Sequence, residues 1–142
     1  MDSIPDILMG TRRIALVGAS ARPDRPSHSV MRFLLARGYD VTPVNPGLAG
    51  QEILGQRVVA RLAEAGPLDM VDVFRRSAEA GAVMDEAVAL GARTVWLQLG
   101  VVDEAAAARA RAAGVQVVMD RCPAIEWRVW KLPDRIPDVA DT

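Results

Sequence analysis

The stretch "IALVGASARPDRPSHSV", residues 14–30, decides the fold of this chain. Four apolar residues lead into one glycine, Gly18, and then into serines, prolines and arginines before the chain becomes apolar again. A buried strand, a glycine turn and a helix start follow one another in this order at phosphate sites of α/β proteins. The stretch therefore predicts a phosphate site, although the three glycines of the dinucleotide fingerprint are absent.

Composition limits what the rest of the chain can be. The 142 residues are 51% apolar, which suits one domain with a substantial core. The formal net charge is −1, so no overall field attracts nucleic acid or an anionic membrane, and we expect neither as a partner. Any anion site must be local.

Cysteine content and the N-terminal sequence indicate the compartment. Cys122 is the only cysteine, which excludes an intrachain disulfide and a cysteine-based metal cluster and suits a reducing environment. The start lacks the features of a signal peptide, and no apolar run approaches the roughly 20 residues of a membrane helix. We expect a cytoplasmic protein without a metal site.

Five short β-branched runs alternate with helical segments, and they occupy residues 14–18, 40–45, 70–74, 94–100 and 115–120. The helical segments between them end at Gly38, Gly91 and Gly114, and Asp103 can cap the last one. This alternation predicts an α/β fold of three layers, a Rossmann-like, doubly wound parallel five-stranded sheet, in the order 3-2-1-4-5. Residues 47–69 remain ambiguous between a short strand and helical turns.

The predicted domain spans residues 1–142. Residues 1–12 should form a helix that lays Ile4, Ile7 and Leu8 on the body. The tail, residues 127–142, carries two prolines and should cross the surface and fray at its end.

Ligands of such sheets bind at the carboxyl ends of the strands, where the strand order reverses. Gly18 permits a tight turn there, and the amides near Ser27 to Ser29 form an anion site at a helix start. Arg22 and Arg25 add charge, and Ser20 adds a hydroxyl. Charge-assisted contacts contribute about 1.5 to 3 kcal/mol each, against about 0.3 to 1 kcal/mol for the helix dipole, so the arginines should dominate.

The end of the second strand narrows the choice of ligand. NAD enzymes place a carboxylate there to hold the ribose hydroxyls, whereas this chain reads Val44-Asn45-Pro46. A pocket with arginines and no carboxylate favours a ribose that carries a phosphate. NADP and coenzyme A both meet this requirement.

Five motifs follow one another between Val17 and Glu126, within a match of roughly residues 14–126: "VGASARPDRPSHSV", "VTPVNP", "VDVFRRS", "WLQLGV" and "VVMDRCPAIE". Together they resemble the stand-alone CoA-binding proteins, whose fold is similar to the N-terminal CoA-binding domain of the succinyl-CoA synthetase alpha subunit and of acyl-CoA synthetases that form nucleoside diphosphate. The resemblance implies non-catalytic binding of coenzyme A or an acyl-CoA, as a carrier, a sensor or a partner module.

The resemblance also implies roles for individual residues. The phosphates of the nucleotide end would contact Gly18, Ala19, Ser20, Arg25 and Ser27, and the adenosine would lie between Val44, Asn45 and Pro46. The pantetheine arm or the phosphates would meet Phe74, Arg75, Arg76 and Ser77, and the crevice would be closed by Gln98, Leu99 and Gly100. Spacing does not decide which of Arg22, Arg25, Arg75 and Arg76 reaches a phosphate, and we favour Arg25.

A catalytic role is not expected. The synthetases use a phosphohistidine on a second domain and an ATP-grasp module, and neither fits into this chain. His28, the only histidine, starts the first crossover helix and is expected to be a neighbour of its cap or a partly exposed residue. The alternative is an NADP-binding oxidoreductase-like protein, but the one lysine, Lys131, lies in the tail.

Cys122 and the tryptophans leave alternatives open. Cys122 follows the fifth strand near the expected ligand, as a small buried apolar residue or as a thiol that pairs with the CoA thiol. Trp96 lies inside a strand and should pack in the core. Trp127 and Trp130 would share one side of a helical turn and pack on the body or on a second subunit, so a homodimer or a protein partner stays open.

Overall fold

Parallel strands form the central sheet of the computed structural model, which describes residues 1–134. The strands in chain order are β1 Arg13–Val17, β2 Asp40–Val44, β3 Glu52–Ile53, β4 Gln56–Arg57, β5 Met70–Val73, β6 Thr94–Leu97 and β7 Gln116–Val118. The two-residue strands β3 and β4 form a separate antiparallel hairpin, and the other five form the parallel sheet. The predicted Rossmann-like α/β fold is confirmed.

Helices cover both faces of the sheet. They are α1 Ile4–Gly10, α2 Pro26–Ala36, α3 Ser77–Ala89, α4 Glu104–Ala112 and α5 Pro123–Val129. Helices α1, α2 and α5 pack on one face, and α3 and α4 pack on the other, so that each face has its own apolar core. This arrangement gives the three predicted layers.

The strand order differs from the prediction. The observed order is β2-β1-β5-β6-β7, so the strand at residues 70–73 pairs with β1 and does not lie beyond β2. The predicted order 3-2-1-4-5 is therefore wrong for the five strands it numbered. The place beyond β2 is taken by the ambiguous connection, in which Val59 forms a parallel bridge with Val44.

The predicted helix ends are confirmed. Asp103 caps α4, because its Oδ1 accepts a hydrogen bond from the Ala106 amide at 3.0 Å. Gly38, Gly91 and Gly114 follow the C-caps of α2, α3 and α4 with φ of +99°, +82° and +86°. Each helix thus ends in a left-handed residue that glycine adopts without strain.

The prediction for the N-terminal helix agrees with the structure, and the prediction for the C-terminal tail does not. In α1, Ile7 and Leu8 are buried against the body as predicted. The expected surface tail is wrong at its start, because Trp127 lies within α5, is buried, and donates a hydrogen bond to the Pro133 carbonyl at 2.8 Å. Trp130 is exposed. The expected fraying of the chain end concerns residues 135–142, which lie outside the described residues.

Trp96 is fully buried in β6, as predicted, and its Nε1 donates a hydrogen bond to the Arg121 carbonyl at 2.8 Å.

Within residues 1–134, no helix has the length and apolar character needed to cross a bilayer.

Asp72 is a carboxyl group buried in the middle of the sheet. It lies on β5, the central strand, in register with Leu16 of β1 and Trp96 of β6. Its side chain is 0% exposed, and neither oxygen has a hydrogen-bond partner among the described residues. Burial disfavours the charged form, so the pKa of Asp72 is raised well above its ordinary value.

We expect Asp72→Asn to become progressively more stable than the wild type as the pH rises above about 4. The unfolded chain releases the Asp72 proton in this range, whereas the folded protein retains it, so the wild type loses stability until the pH reaches the raised pKa. The slope reaches about 1.4 kcal/mol per pH unit for one proton. Denaturant unfolding at a series of pH values measures the difference.

The matched control is Asp40→Asn, because Asp40 is exposed and pairs with Arg13 on the sheet edge. This variant should change stability little at every pH. Stability curves of wild type and Asp72→Asn that run parallel across the pH series would contradict the prediction.

Candidate functional site

A cleft of ≈ 1290 Å³ opens at the carboxyl ends of β1, β2, β5 and β6. This is the edge of the sheet where the predicted ligand site lies, next to the point where the connections from β1 and β5 diverge to opposite faces. Twelve of the sixteen predicted residues line it: Gly18, Ala19, Ser20, Arg25, Ser27, Asn45, Phe74, Arg75, Arg76, Gln98, Leu99 and Cys122.

The β1–α2 loop begins with a turn that only glycine fits. Gly18 has φ of +89°, and a Cβ atom at this position would overlap the Phe74 carbonyl oxygen. The amides of Gly18 and Ala19 donate to the Val44 carbonyl at 3.1 and 3.3 Å. The loop is therefore wedged between the ends of β2 and β5.

Asn45 ties the same loop to the end of β2. Its Nδ2 donates to the Ala19 carbonyl at 2.8 Å, and its Oδ1 accepts from the Gly47 amide at 2.9 Å. Its backbone amide donates to the Val59 carbonyl at 2.9 Å. The side chain that stands where NAD enzymes have a carboxylate is thus engaged in holding the loop.

Helix α2 presents an uncapped N terminus to the cleft. Pro26 occupies the first turn, and no side chain caps the helix. Arg25, Pro26, Ser27 and Ser29 all line the cleft. Pro26 has no amide hydrogen, and the amides of His28 and Ser29 donate to the Arg25 carbonyl, which leaves the Ser27 amide without a backbone partner in the described chain. This amide and the helix dipole suit an anion at this end.

The arginines of the cleft differ in their partners. Arg22 pairs with Asp24 at 3.2 Å. Arg75 and Arg76 both pair with Glu79, at 2.6 and 2.7 Å. Arg25, beside the α2 N terminus, has no carboxylate partner within residues 1–134.

Glu79 is a residue of the cleft that sequence reasoning missed. Hydrogen bonds from Arg76 and Arg75 lower the pKa of Glu79, so the carboxylate stays ionised, and the same pair raises the pKa of Arg76. The spacing of Glu79, three and four residues after the two arginines, was the available signal. This carboxylate offsets part of the positive charge at the cleft.

Four predicted residues do not line the cleft, and each has a structural position instead. Val44 is buried and accepts the loop amides, and Pro46 starts the exposed turn Pro46–Leu48. Ser77 Oγ donates to the Gly100 carbonyl at 3.3 Å and accepts from the Val102 amide at 3.0 Å. The Gly100 amide also donates to Asp120 Oδ1 at 2.7 Å, so these groups brace the loop after β6.

Helices α2 and α5 supply a wall of the cleft that the sequence did not predict. Val30, Phe33, Ala124 and Ile125 make it largely apolar. Arg128 of α5 also lines it, with its guanidinium carbon 5.6 Å from the centre of the Phe33 ring. Pro123 at the start of α5 is the helix signal in the sequence, and the prediction of a surface tail over residues 127–142 does not take it into account.

Gln98 and Cys122 lie in the cleft wall and are nearly buried. Gln98 is 6% exposed and its Oε1 has no hydrogen-bond partner among the described residues, while Cys122 is 8% exposed. The Arg121 amide donates to the Leu97 carbonyl at 3.3 Å, which fixes Cys122 close to the end of β6. His28 is buried and lies in the first turn of α2, so it neighbours the cap and is not partly exposed, and it is not part of the lining.

Comparisons with known proteins agree with this architecture. The family described as "CoA binding domain" matches residues 12–128. The uncharacterized protein YneT of Bacillus subtilis (strain 168) is 41% identical over 129 residues, covering 90% of this chain and 94% of YneT. The structure of cell-free ID.343 from Thermus thermophilus is 38% identical with a TM-score of 0.82, covering 87% of this chain and 92% of that one.

A larger protein shares the fold alone. The dinucleotide forming acetyl-coenzyme A synthetase 1 of Ca. Korarchaeum cryptofilum superposes with a TM-score of 0.69 at 22% identity. The match covers 82% of this chain and 27% of the synthetase. The predicted resemblance to small CoA-binding proteins and to a domain of CoA ligases is confirmed.

Proposed function

Because this chain belongs to the CoA binding domain family, we propose that it binds coenzyme A or an acyl-CoA in the cleft as a non-catalytic carrier, sensor or partner module. The observation that carries the proposal is Arg25, a cation without a carboxylate partner in the described chain, beside the uncapped N terminus of α2. A phosphate that enters here would meet both the Arg25 charge and the Ser27 amide, which has no backbone partner in the described chain.

The remaining lining residues suit the rest of such a ligand. Gly18 to Ser20 and Ser27 would contact phosphate oxygens, and Asn45 would lie against the adenosine. Phe74 and Leu99 would contact the pantetheine arm. The apolar wall of α2 and α5 would accommodate the acyl group of an acyl-CoA.

Calorimetry with CoA, an acyl-CoA, NADP and NAD in parallel tests the proposal. We expect binding of CoA or the acyl-CoA and weak or absent binding of the two nicotinamide dinucleotides. NADP binding with no response to CoA would favour the oxidoreductase-like alternative and overturn the proposal.

Glu79→Gln is expected to raise the affinity for CoA about two- to fivefold, in the range of an exposed ion pair. The substitution releases Arg75 and Arg76 toward a ligand that carries several negative charges, and it removes one negative charge from the cleft. Calorimetry at low and high salt measures the gain, which should shrink as salt screens it.

A matched control is Glu64→Gln, because Glu64 forms an ion pair with Arg61 outside the cleft lining. It should leave the affinity unchanged. Equal or weaker CoA binding by Glu79→Gln at low salt would contradict the prediction.

A further inference from the structure

The apolar wall that α2 and α5 add to the cleft carries a positive charge. Val30, Phe33 and Ile125 line the cleft with apolar surface, and Arg128 lines it beside them. Phe33 is half-buried and Arg128 is exposed. A ligand that lies along this wall therefore meets both apolar side chains and a cation.

The Phe33 ring positions that cation. The guanidinium carbon of Arg128 lies 5.6 Å from the ring centre, and the guanidinium carbon of Arg37, the C-cap residue of α2, lies 4.9 Å from it. A cation near an aromatic ring is attracted to it, which restricts the long side chain. Two positive charges beside one ring also repel each other, so an anion that binds there relieves the repulsion.

Arg128 lacks a carboxylate partner in the part of the chain that the structure describes. Five arginines line the cleft, and three of them form ion pairs. Within residues 1–134, Arg25 and Arg128 form none. Among the described residues of the lining, Glu79 is the only acidic one, and two other arginines already engage it. Two guanidinium groups of the cleft are thus available to anionic groups of a ligand.

These two cations lie far enough apart to bind separate groups of one ligand. Phe33, the ring that contacts Arg128, follows Arg25 by eight residues, which corresponds to about 12 Å along the axis of α2. The proposed function places a phosphate beside Arg25. A second anion on Arg128 would belong to the opposite end of the ligand, beyond an apolar stretch along Val30 and Phe33. In an acyl-CoA, that end is the acyl group.

We propose that the cleft prefers an acyl-CoA whose acyl chain ends in a carboxylate, with its methylene groups against the apolar wall around Phe33 and its carboxylate on the Arg128 guanidinium. This inference rests on the proposed function and names the class of acyl group that the cleft selects. An acyl chain with an apolar end contacts the same wall but leaves Arg128 without an anion. Arg128 is therefore the residue that determines specificity, because guanidinium binds carboxylate through two parallel hydrogen bonds.

Calorimetry with acyl-CoA pairs matched in carbon number tests the inference. Glutaryl-CoA is compared with pentanoyl-CoA, and adipoyl-CoA with hexanoyl-CoA, so each pair differs only in the end of the acyl chain. We expect the wild type to bind at least one dicarboxylic acyl-CoA about five- to tenfold more tightly than its matched partner, between the effects of an exposed ion pair and of a charge-assisted hydrogen bond. The preference should shrink at high salt.

Two variants and a matched control identify the residue responsible. Arg128→Gln should remove the preference, because glutamine lacks the charge. Arg128→Lys should retain part of it, because lysine keeps the charge and loses the paired donors. The control is Arg111→Gln, which changes an exposed arginine in the last turn of α4, outside the cleft lining, and should keep the wild-type preference. Thermal unfolding of each variant checks that the fold is intact.

The outcomes distinguish this inference from the proposed function. If the wild type binds free CoA but neither pair shows a preference, or if Arg128→Gln keeps the preference, the inference is overturned and the proposed function stands. If Arg128→Gln weakens binding of free CoA as much as binding of glutaryl-CoA, Arg128 contacts a phosphate of the nucleotide end, which also overturns the inference. If neither CoA nor any of the acyl-CoAs binds, the proposed function itself fails. A preference that Arg128→Gln removes supports both.

Discussion

Arg25→Ala is expected to weaken CoA binding about 10- to 100-fold, which corresponds to one charge-assisted hydrogen bond or a little more. Arg25 lies at the N terminus of α2 and lines the cleft, and no carboxylate within the described residues competes for its guanidinium. Its charge is therefore available to a phosphate, and alanine leaves only the Ser27 amide and the helix dipole. Calorimetry of wild type and variant measures the loss.

The matched control is Arg22→Ala. Arg22 lines the same cleft but pairs with Asp24, and both side chains are exposed. The Arg22 guanidinium would have to leave Asp24 before it could bind a phosphate. Arg22→Ala should therefore lose much less affinity for CoA than Arg25→Ala. Equal losses in the two variants would show that total charge matters and that the pairing does not.

Gly18→Ala is expected to destabilise the protein by about 2 to 5 kcal/mol. The left-handed backbone of Gly18 costs a residue with a Cβ about 1 to 2 kcal/mol. The overlap with the Phe74 carbonyl adds about 1 to 3 kcal/mol of overpacking strain, since a backbone atom cannot rotate away. Denaturant unfolding gives the difference, and CoA binding should fall with it, because the loop that holds the phosphates must shift.

Gly114→Ala separates the two contributions. Gly114 has φ of +86°, similar to Gly18, but a Cβ atom there meets nothing within 4 Å. It should lose only the conformational part and keep its CoA affinity. If Gly18→Ala were no more destabilising than Gly114→Ala, the close approach of the β1–α2 loop to β5 would not constrain the site.

The sequence predicts the elements because their signals are local. The buried runs at β1 and β6 and the helix ends at Asp103 and Gly114 depend on neighbours within a few residues. The strand order depends on which strand β5 pairs with, and the apolar pattern of a buried strand is the same on either side of β2. The outer side of β2 is instead occupied by the connection of residues 47–69, whose Val59 forms a single bridge with Val44, and a single bridge leaves almost no pattern in the sequence.

The residues of the cleft likewise fall into those that local sequence predicts and those that depend on tertiary contacts. Twelve predicted residues line the cleft because they follow the strands directly, and the fold brings those ends together. The wall formed by Phe33 and Arg128 comes from helix faces whose packing is set by tertiary contacts. The unpaired state of Arg25 likewise depends on where the carboxylates of other residues lie, which spacing alone cannot specify.

The bonds that join the β1–α2 loop to the end of β2 have a consequence for recognition. Val44 and Asn45 hold Gly18 and Ala19 through hydrogen bonds within the protein, so the loop has its binding conformation before a ligand arrives. A ligand that binds loses its own conformational freedom but does not have to order the loop, which keeps the entropic cost of association low. Selectivity among ligands then follows from how well their shape and charge complement this preorganised loop.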